Sequence, residues 1–556
     1  MGAHLPKRWW TPEVRDEVSH IWSILWPIAV TNALLMALQI EDQIILGRIG
    51  VDELAASALG TTLFNLAWFF LAGAASAVDT LVAQAFGARD YEACEYWTRI
   101  GYLLMTLFSL PAMVIFQYGE WVVRTVFRQE EHLSHLAGRY TQLLLPGLWP
   151  LCMFVCMQKS MQARNVLMPS LYVMLLANLI NVGGNYLFVY ALGMGFTGSP
   201  LATSTSRILT CALTGVYYYS VMPKTRPRAL QGRSCSADLQ GEEPGSILTD
   251  RDTDGQVWGA EVRGVGGPAS GSLQQPLLSE VGYASSSEPP PEPAGGEAFP
   301  GRTPFREALC RFLRLAIPGG FMVGLEAWSF DFTTSFAAQF GTEALDAHQS
   351  MMSISAFTYL TVPLAISVAA SIRVGNLLGA QRPEQAKLAA RICLFIGVAT
   401  MLLCGLVLVL LRGSLGEIFT PDAKVAKIVS KLCPIMALYQ VFDGFQGVSA
   451  GILRGMGRQT RVALLNLGGF WVLGLPGGAI LAFTLRMGVY GIWWGFVMGL
   501  ALISILYLWA LSRLDFEVEA RRALQSACTD QKLEHAWEQR VDHEKQVKRE
   551  GGIVAV

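Results

Sequence analysis

Charge is what this chain is short of. Of its 556 residues only 15% are Asp, Glu, Lys or Arg, against about 25% in an average soluble protein. The formal net charge is −1, and no basic face with interleaved aromatics appears, so a nucleic-acid binder is excluded. The ten cysteines, at irregular spacing, form neither a C-x-x-C pair nor a disulfide framework. Cys152, Cys156, Cys404 and Cys433 lie inside apolar runs and read as small buried residues. No paired histidine and acid and no metal-ligand spacing is present, and His348 stands alone near a loop. A membrane-embedded enzyme would need such a catalytic set.

What fills the chain is apolar: 52% of the residues are hydrophobic, gathered into long runs with short polar breaks. A backbone in lipid must satisfy its hydrogen bonds within its own segment, so these runs are predicted to be helices. The expected spans cover 20–45, 54–79, 96–118, 138–160, 170–192 and 199–222, then 308–337, 345–371, 388–411, 425–453, 461–484 and 489–511. The fold class is therefore all-α integral membrane, with about twelve transmembrane helices in two pseudo-symmetric six-helix lobes. The chain divides into an N-terminal tail (1–19), an N-lobe (20–222), a linker (223–305), a C-lobe (306–512) and a C-terminal tail (513–556).

The N-terminus, with Lys7, Arg8, Glu13, Arg15 and Asp16, reads as a cytoplasmic tail and not as a cleavable signal. One set of short loops carries Arg89, Arg99, Lys159, Arg164, Arg373, Arg382, Lys387, Arg454, Arg458 and Arg461. The opposite set includes the uncharged 193–200 and the acidic 341–346. The positive-inside rule puts the basic set and both termini in the cytoplasm, with the lysines around 412–431 a mild exception. The linker is rich in Gly, Ser, Pro and Glu, as in Ser285–Ser286–Ser287–Glu288–Pro289–Pro290–Pro291, and reads as disordered. Gln275–Pro276–Leu277–Leu278 within it resembles a sorting signal, though a chance match is the simpler reading. The tail is expected to form a surface helix over 514–548.

The two sets of spans repeat. Pro27 matches Pro318, 318 − 27 = 291 residues on, and Gly50 matches Gly341 at the same offset. Gly87 matches Gly379 and Gln162 matches Arg454 at 292, and Gly195 matches Gly488 at 293. So steady an offset marks an internal duplication. With an even number of spans in each half, both enter the bilayer from the same side. Parallel repeats related by an axis along the membrane normal are a transporter architecture, with a cleft between the halves.

Acids inside the runs carry the chemistry. Asp42 lies deep in the first run, Glu326 and Asp331 in the seventh, and Asp443 in the tenth. A charge at the bilayer centre costs about 2.5–3.5 kcal/mol on insertion scales, so such acids are kept for ion or proton work. Asp79 lies beside a polar loop and is expected to be structural. Asn178, Asn181 and Asn185 are spaced three and four apart, share one helix face, and are placed to point at Asp42. Asn466 is the matching polar residue near the eleventh span. Interhelical hydrogen bonding is the competing reading of these amides. Trp328 and Gln349, with the Asn residues, are candidates to line a polar and aromatic substrate cavity.

These residues resemble one family, the multidrug and toxic compound extrusion (MATE) transporters, eukaryotic type. Asp79–Thr80–Leu81–Val82–Ala83–Gln84–Ala85–Phe86–Gly87–Ala88 is similar to the family's second-helix signature. The stretch from Pro363 to Ala380 is similar to its eighth-helix signature. Leu453–Arg454–Gly455–Met456–Gly457–Arg458–Gln459 resembles the loop after helix ten, and Glu326–Ala327–Trp328–Ser329–Phe330–Asp331 the helix-seven motif of eukaryotic members. The resemblance implies a V-shaped pair of six-helix lobes. It implies a secondary active antiporter that exports small organic compounds in exchange for protons by alternating access, and no enzyme. The family's C-lobe cation site maps onto Glu326 and Asp443, and the N-lobe proton site of prokaryotic members onto Asp42, Asn181 and Asn185. The chain departs from the family in holding Asp42, where most eukaryotic relatives have a small polar residue. It also has Asn185 for an acid and Ile354 for a helix-eight acid. No cofactor is implied beyond H+ as the coupling ion, with Na+ the alternative. A lipid or lipid-linked-sugar flippase of the wider superfamily is the other transport reading. The expected partners are a small organic substrate and the bilayer, with the chain acting as a monomer in the plasma or vacuolar membrane.

Overall fold

The computed structural model describes residues 11–222, 305–419 and 422–527. The linker up to residue 304, with its Gln275–Leu278 motif, and the tail beyond residue 527 lie outside the described residues. Every regular element among the described residues is a helix. Twelve of them follow the expected order: α1 (Pro12–Ile49), α2 (Asp52–Gly87), α3 (Tyr91–Gln117), α4 (Glu131–Ala163), α5 (Met168–Ala191), α6 (Gly198–Val216), α7 (Phe305–Phe340), α8 (Thr342–Gly379), α9 (Pro383–Leu410), α10 (Ala423–Gly455), α11 (Gln459–Thr484) and α12 (Val489–Ser512). Among the described residues, eleven are long and apolar enough to cross a membrane. The one that falls short is α6, because Thr203, Ser204, Ser206, Arg207, Thr210 and Thr214 interrupt its apolar run. Of the predicted tail helix, the described part runs over Phe516–Ala527.

Local chemistry sets the ends and bends. Thr11 caps α1, its Oγ1 accepting from Val14 N–H, with Pro12 opening the first turn. Inside α1, Pro27 is accommodated, and Thr31 Oγ1 donates to Pro27 O at 2.7 Å. α2 breaks at Ala75 and α8 at Val362, the residue before Pro363, which has no N–H to continue the ladder. Both helices then run on past the membrane length expected for them, through their polar signature segments. α5 ends in a π-helical stretch, Tyr186–Ala191, and α11 carries two, Leu467–Gly474 and Ile480–Thr484. The last coincides with Tyr186–Ala191 at the repeat offset.

Two main apolar cores result, each built chiefly from one half of the chain. The first helix of each half crosses over. Ile21, Ile24, Leu25 and Ile28 of α1 sit in the core of the second half. Ala308, Phe312 and Ala316 of α7 sit in that of the first. The exchange obeys the duplication, since Ile21 aligns with Phe312 and Leu25 with Ala316. The ends of α2 and α8 meet backbone to backbone at the basic end of the bundle. A Cβ on Gly87 would strike Asn376 O, and one on the equivalent Gly379 would strike Gln84 O. Small residues permit this approach. Beside it, polar bonds tie α2 to α10 and α11: Thr80 Oγ1 donates to Arg454 O (2.7 Å), Gln84 Nε2 to Gly455 O (3.0 Å) and Gln459 Nε2 to Thr80 Oγ1 (2.8 Å).

Candidate functional site

Two carboxylates, the buried Asp42 and the half-buried Glu326, are each held by amides from neighbouring helices, one in each half. In the first half Asp42 of α1 is 9% exposed. Its Oδ1 accepts from Asn181 Nδ2 (3.0 Å) and Asn185 Nδ2 (2.9 Å) of α5, and its Oδ2 from Thr203 Oγ1 (2.7 Å) of α6. Asn185 also reaches Glu41 Oε1 at 3.4 Å. The i, i+4 spacing of Asn181 and Asn185 puts both on one face, and both are fully buried. Asn178 departs from the expected trio. Its Nδ2 turns back to its own helix at Met174 O (2.9 Å) and does not reach Asp42.

In the second half Glu326 of α7 is the centre. Its Oε2 accepts from Gln446 Nε2 of α10 at 3.2 Å and from Asn466 Nδ2 of α11 at 3.5 Å, while Asn466 also bonds Met322 O at 3.0 Å. Asp443, 2% exposed, stands one turn before Gln446 on α10, close enough for its charge to act on Glu326. Tyr359, Tyr439 and Tyr507 lie within reach of the charge of Glu326, and Arg454 is the cation whose charge reaches it. Arg454 is anchored to Ser371 and Ser367.

Among the described residues, each site sets amide nitrogens and unpartnered amide oxygens beside its carboxyl group. Its amide nitrogens donate to the anion. The amide oxygens Asn181 Oδ1, Asn185 Oδ1, Gln446 Oε1 and Asn466 Oδ1 are buried without a hydrogen-bond partner among the described residues. A half-turn of the amide presents that oxygen to a protonated carboxyl. Asn185 and Asn466 also directly precede π-helical stretches, which occur often at functional sites. The two sites occupy equivalent helix pairs at different depths. Glu326 aligns with Leu35, seven residues before Asp42, and Asn466 aligns with Met174, seven before Asn181. Seven residues are two turns, about 10 Å of helix.

The remaining candidates stand apart. Asp331 is exposed and five residues from Glu326, which turns it about 140° away around α7. Trp328 is half-buried and its Nε1 donates across to Leu66 O of α2 at 3.0 Å. Gln349 is exposed on α8. Asp79 is structural in setting, bound to Lys159 Nζ at 2.6 Å. His348 is not at a loop edge but fully buried within α8, its ring 5.7 Å from Trp493. Gly447–Val448–Ser449–Ala450–Gly451 spells G-x-S-x-G, yet all five residues lie inside α10, not on the strand-to-helix turn that exposes a nucleophile.

Sequence reasoning passed over Gln446, Glu41, Thr203 and the three tyrosines. Gln446 was visible as the i+3 neighbour of Asp443, and Thr203 as a polar residue in a run. The tyrosines left no signal, since an aromatic in a membrane helix is ordinarily packing.

The comparisons follow the same duplication. The MatE family pattern matches twice, at residues 27–187 and 318–480. Mouse multidrug and toxin extrusion protein 2 is 27% identical over 92% of this chain and 77% of its own length. Protein DETOXIFICATION 16 of Arabidopsis thaliana is 29% identical over 89% of each. The crystal structure of the eukaryotic MATE transporter AtDTX14 superposes with a TM-score of 0.73 at 22% identity, covering 93% of this chain and all of that one. The chain therefore belongs to the MatE family: it is an all-helical, multi-pass multidrug and toxin extrusion transporter, and no enzyme.

Proposed function

We propose that this transporter exports small organic compounds from the cytoplasm by proton antiport, with Glu326 and Asp443 as the coupling pair. The observation that carries this reading is the contact of Glu326 with Gln446 and Asn466, which joins α7, α10 and α11 through one carboxyl group. As an anion Glu326 holds both amides as donors. As an acid it needs an acceptor, so the amides must turn and the three helices must adjust. Asp443 adds a second negative charge beside the first. Neutralising one of them relieves repulsion in a low-dielectric setting. Coupling follows only if proton and substrate favour different states of the cleft. Asp42 offers a second such carboxyl in the first half, and its three donors favour it as the alternative coupling point. One chain supplies both halves of the cleft, which supports function as a monomer.

The test is flux of a fluorescent organic cation in proteoliposomes under an imposed pH gradient and then a sodium gradient. Glu326→Gln is expected to abolish pH-driven flux. Undiminished flux in that variant sinks the assignment, loss only in Asp42→Asn moves the coupling to the first half, and flux driven by sodium alone replaces the proton. A fluorescent fusion in cells distinguishes plasma from vacuolar membrane.

A further inference from the structure

One cation inside the first half acts on Asp42 through its charge alone and bonds neither carboxyl site. Arg207 lies at the middle of α6, one turn beyond Thr203, in the helix whose polar residues keep it below the apolar threshold. Its aliphatic stem crosses α4 at Gly147, where a Cβ would come within 3.1 Å of Arg207 Cδ. Its guanidinium carbon lies 4.4 Å from the centre of the Phe64 ring. Phe64, itself 4% exposed and stacked on Phe116, also stacks on Trp68, centroids 6.1 Å apart, and the half-buried Trp68 is the part of this aromatic group open to a ligand.

The guanidinium has no ion-pair partner within 4.0 Å among the described residues. Asp42, Tyr140 and Cys152 are the ionisable groups whose charge it feels. Asp42 is the only ordinary anion of the three, and its oxygens are already taken by Asn181, Asn185 and Thr203. Arg207 Nη1 is buried with no hydrogen-bond partner among the described residues, although the residue as a whole is only half-buried. Ionisable side chains in membrane helices almost always pair with one another or with backbone carbonyls, or mark a substrate path. A planar guanidinium suits bidentate carboxylate, sulfonate and phosphate groups. The duplication offers no second copy: the aligned residue in the other half is Leu500.

We infer that Arg207, with the Phe64–Trp68 face beside it, forms an anion subsite in the first half that binds the carboxylate or sulfonate of an aromatic substrate. The transporter then accepts aromatic organic anions, and zwitterions whose cationic group lies toward Asp42 and Glu41. This rests on the reading of the protein as an exporter of small organic compounds and names a substrate class for it.

The experiment is equilibrium binding to the full chain in nanodiscs, with no gradient, using a matched pair of probes: 2-naphthalenesulfonate and 2-naphthyltrimethylammonium. Arg207→Gln is expected to weaken sulfonate binding about tenfold or more, the loss of one charge-assisted pair. It leaves the ammonium probe unchanged or tighter. Arg207→Lys keeps most of the sulfonate affinity. Asp42→Asn, which leaves Arg207 in place, tightens the sulfonate and weakens the ammonium, and reads the subsite even if Arg207→Gln does not fold. The inference is overturned if wild type does not bind the sulfonate, if Arg207→Gln binds both probes as wild type does or loses both equally, or if Asp42→Asn moves neither. Sulfonate binding without gradient-driven flux of any probe sinks the antiport reading and leaves this one standing. Proton-driven flux of a cation without sulfonate binding does the reverse.

Discussion

Asp79 Oδ2 and Lys159 Nζ meet at 2.6 Å between α2 and α4, with the aspartate side chain fully buried and the lysine 15% exposed. Asp79 stands in the first turn after the break at Ala75, where a helix start favours a negative charge. Lys159→Met strands that charge and is expected to cost about 3–5 kcal/mol of stability. The double variant Asp79→Leu with Lys159→Met removes both charges and should recover most of the loss. Thermal unfolding of the detergent-purified protein checks this; a harmless Lys159→Met would show that the pair is not holding α2 to α4.

Glu17 and Arg373 form a two-bond pair, Nε to Oε1 at 2.6 Å and Nη2 to Oε2 at 2.7 Å, tying the start of α1 to the signature segment of α8. Both side chains are largely shielded, 7% and 19% exposed. A double-mutant cycle with Glu17→Gln and Arg373→Met is expected to give a coupling energy of about 1.5–3 kcal/mol. A value indistinguishable from zero rules out the pair as a clasp between α1 and α8.

The close approach of α2 and α8 leaves no room for a larger residue at Gly379. Gly379→Val should push the two helix ends apart, at a cost of about 1–3 kcal/mol. Thr80, one turn before Gln84, is fully buried beside that contact, against Arg454 and Gln459. A cysteine placed at Thr80 should therefore react faster with a maleimide in the Gly379→Val background. An unchanged labelling rate would mean that the contact adapts without opening.

Thr203 is the donor to Asp42 Oδ2. Thr203→Val keeps the shape and removes the bond, and should lower stability by about 1–2 kcal/mol. In an Asp42→Ala background the same change should cost less than about 0.5 kcal/mol, because the acceptor is gone. Equal losses in both backgrounds would assign Thr203 to packing alone.

The helical class and the order of the helices were legible because apolar runs and the need to satisfy backbone groups in lipid leave few alternatives. The extent of the helices was not. α2 and α8 continue through Thr80, Gln84 and Arg373, polar residues that hydropathy reads as the end of a span. Here each is paired across the two halves, a fact that depends on the fold. For the sites, spacing placed Asn178, Asn181 and Asn185 on one face, but only tertiary packing decides that Asn178 bonds Met174 O. Position in the seventh run put both Glu326 and Asp331 among the candidates, and the turn of α7 separates them. Arg207 gave no signal of its own, a single cation between Ser206 and Ile208 inside the expected span 199–222.

The two-turn offset between the carboxyl sites gives them different electrical addresses. About 10 Å along the helix is about a third of a hydrocarbon core about 30 Å thick. Carrying one elementary charge across the whole membrane is worth about 2.3 kcal/mol per 100 mV. A cation that enters from the face nearer Asp42 and travels on to Glu326 thus crosses about 0.8 kcal/mol more of the field per 100 mV than one that stops at Asp42. Flux recorded at clamped voltages in the Asp42→Asn and Glu326→Gln variants should separate the two by slope, so the membrane potential itself tells the duplicated sites apart.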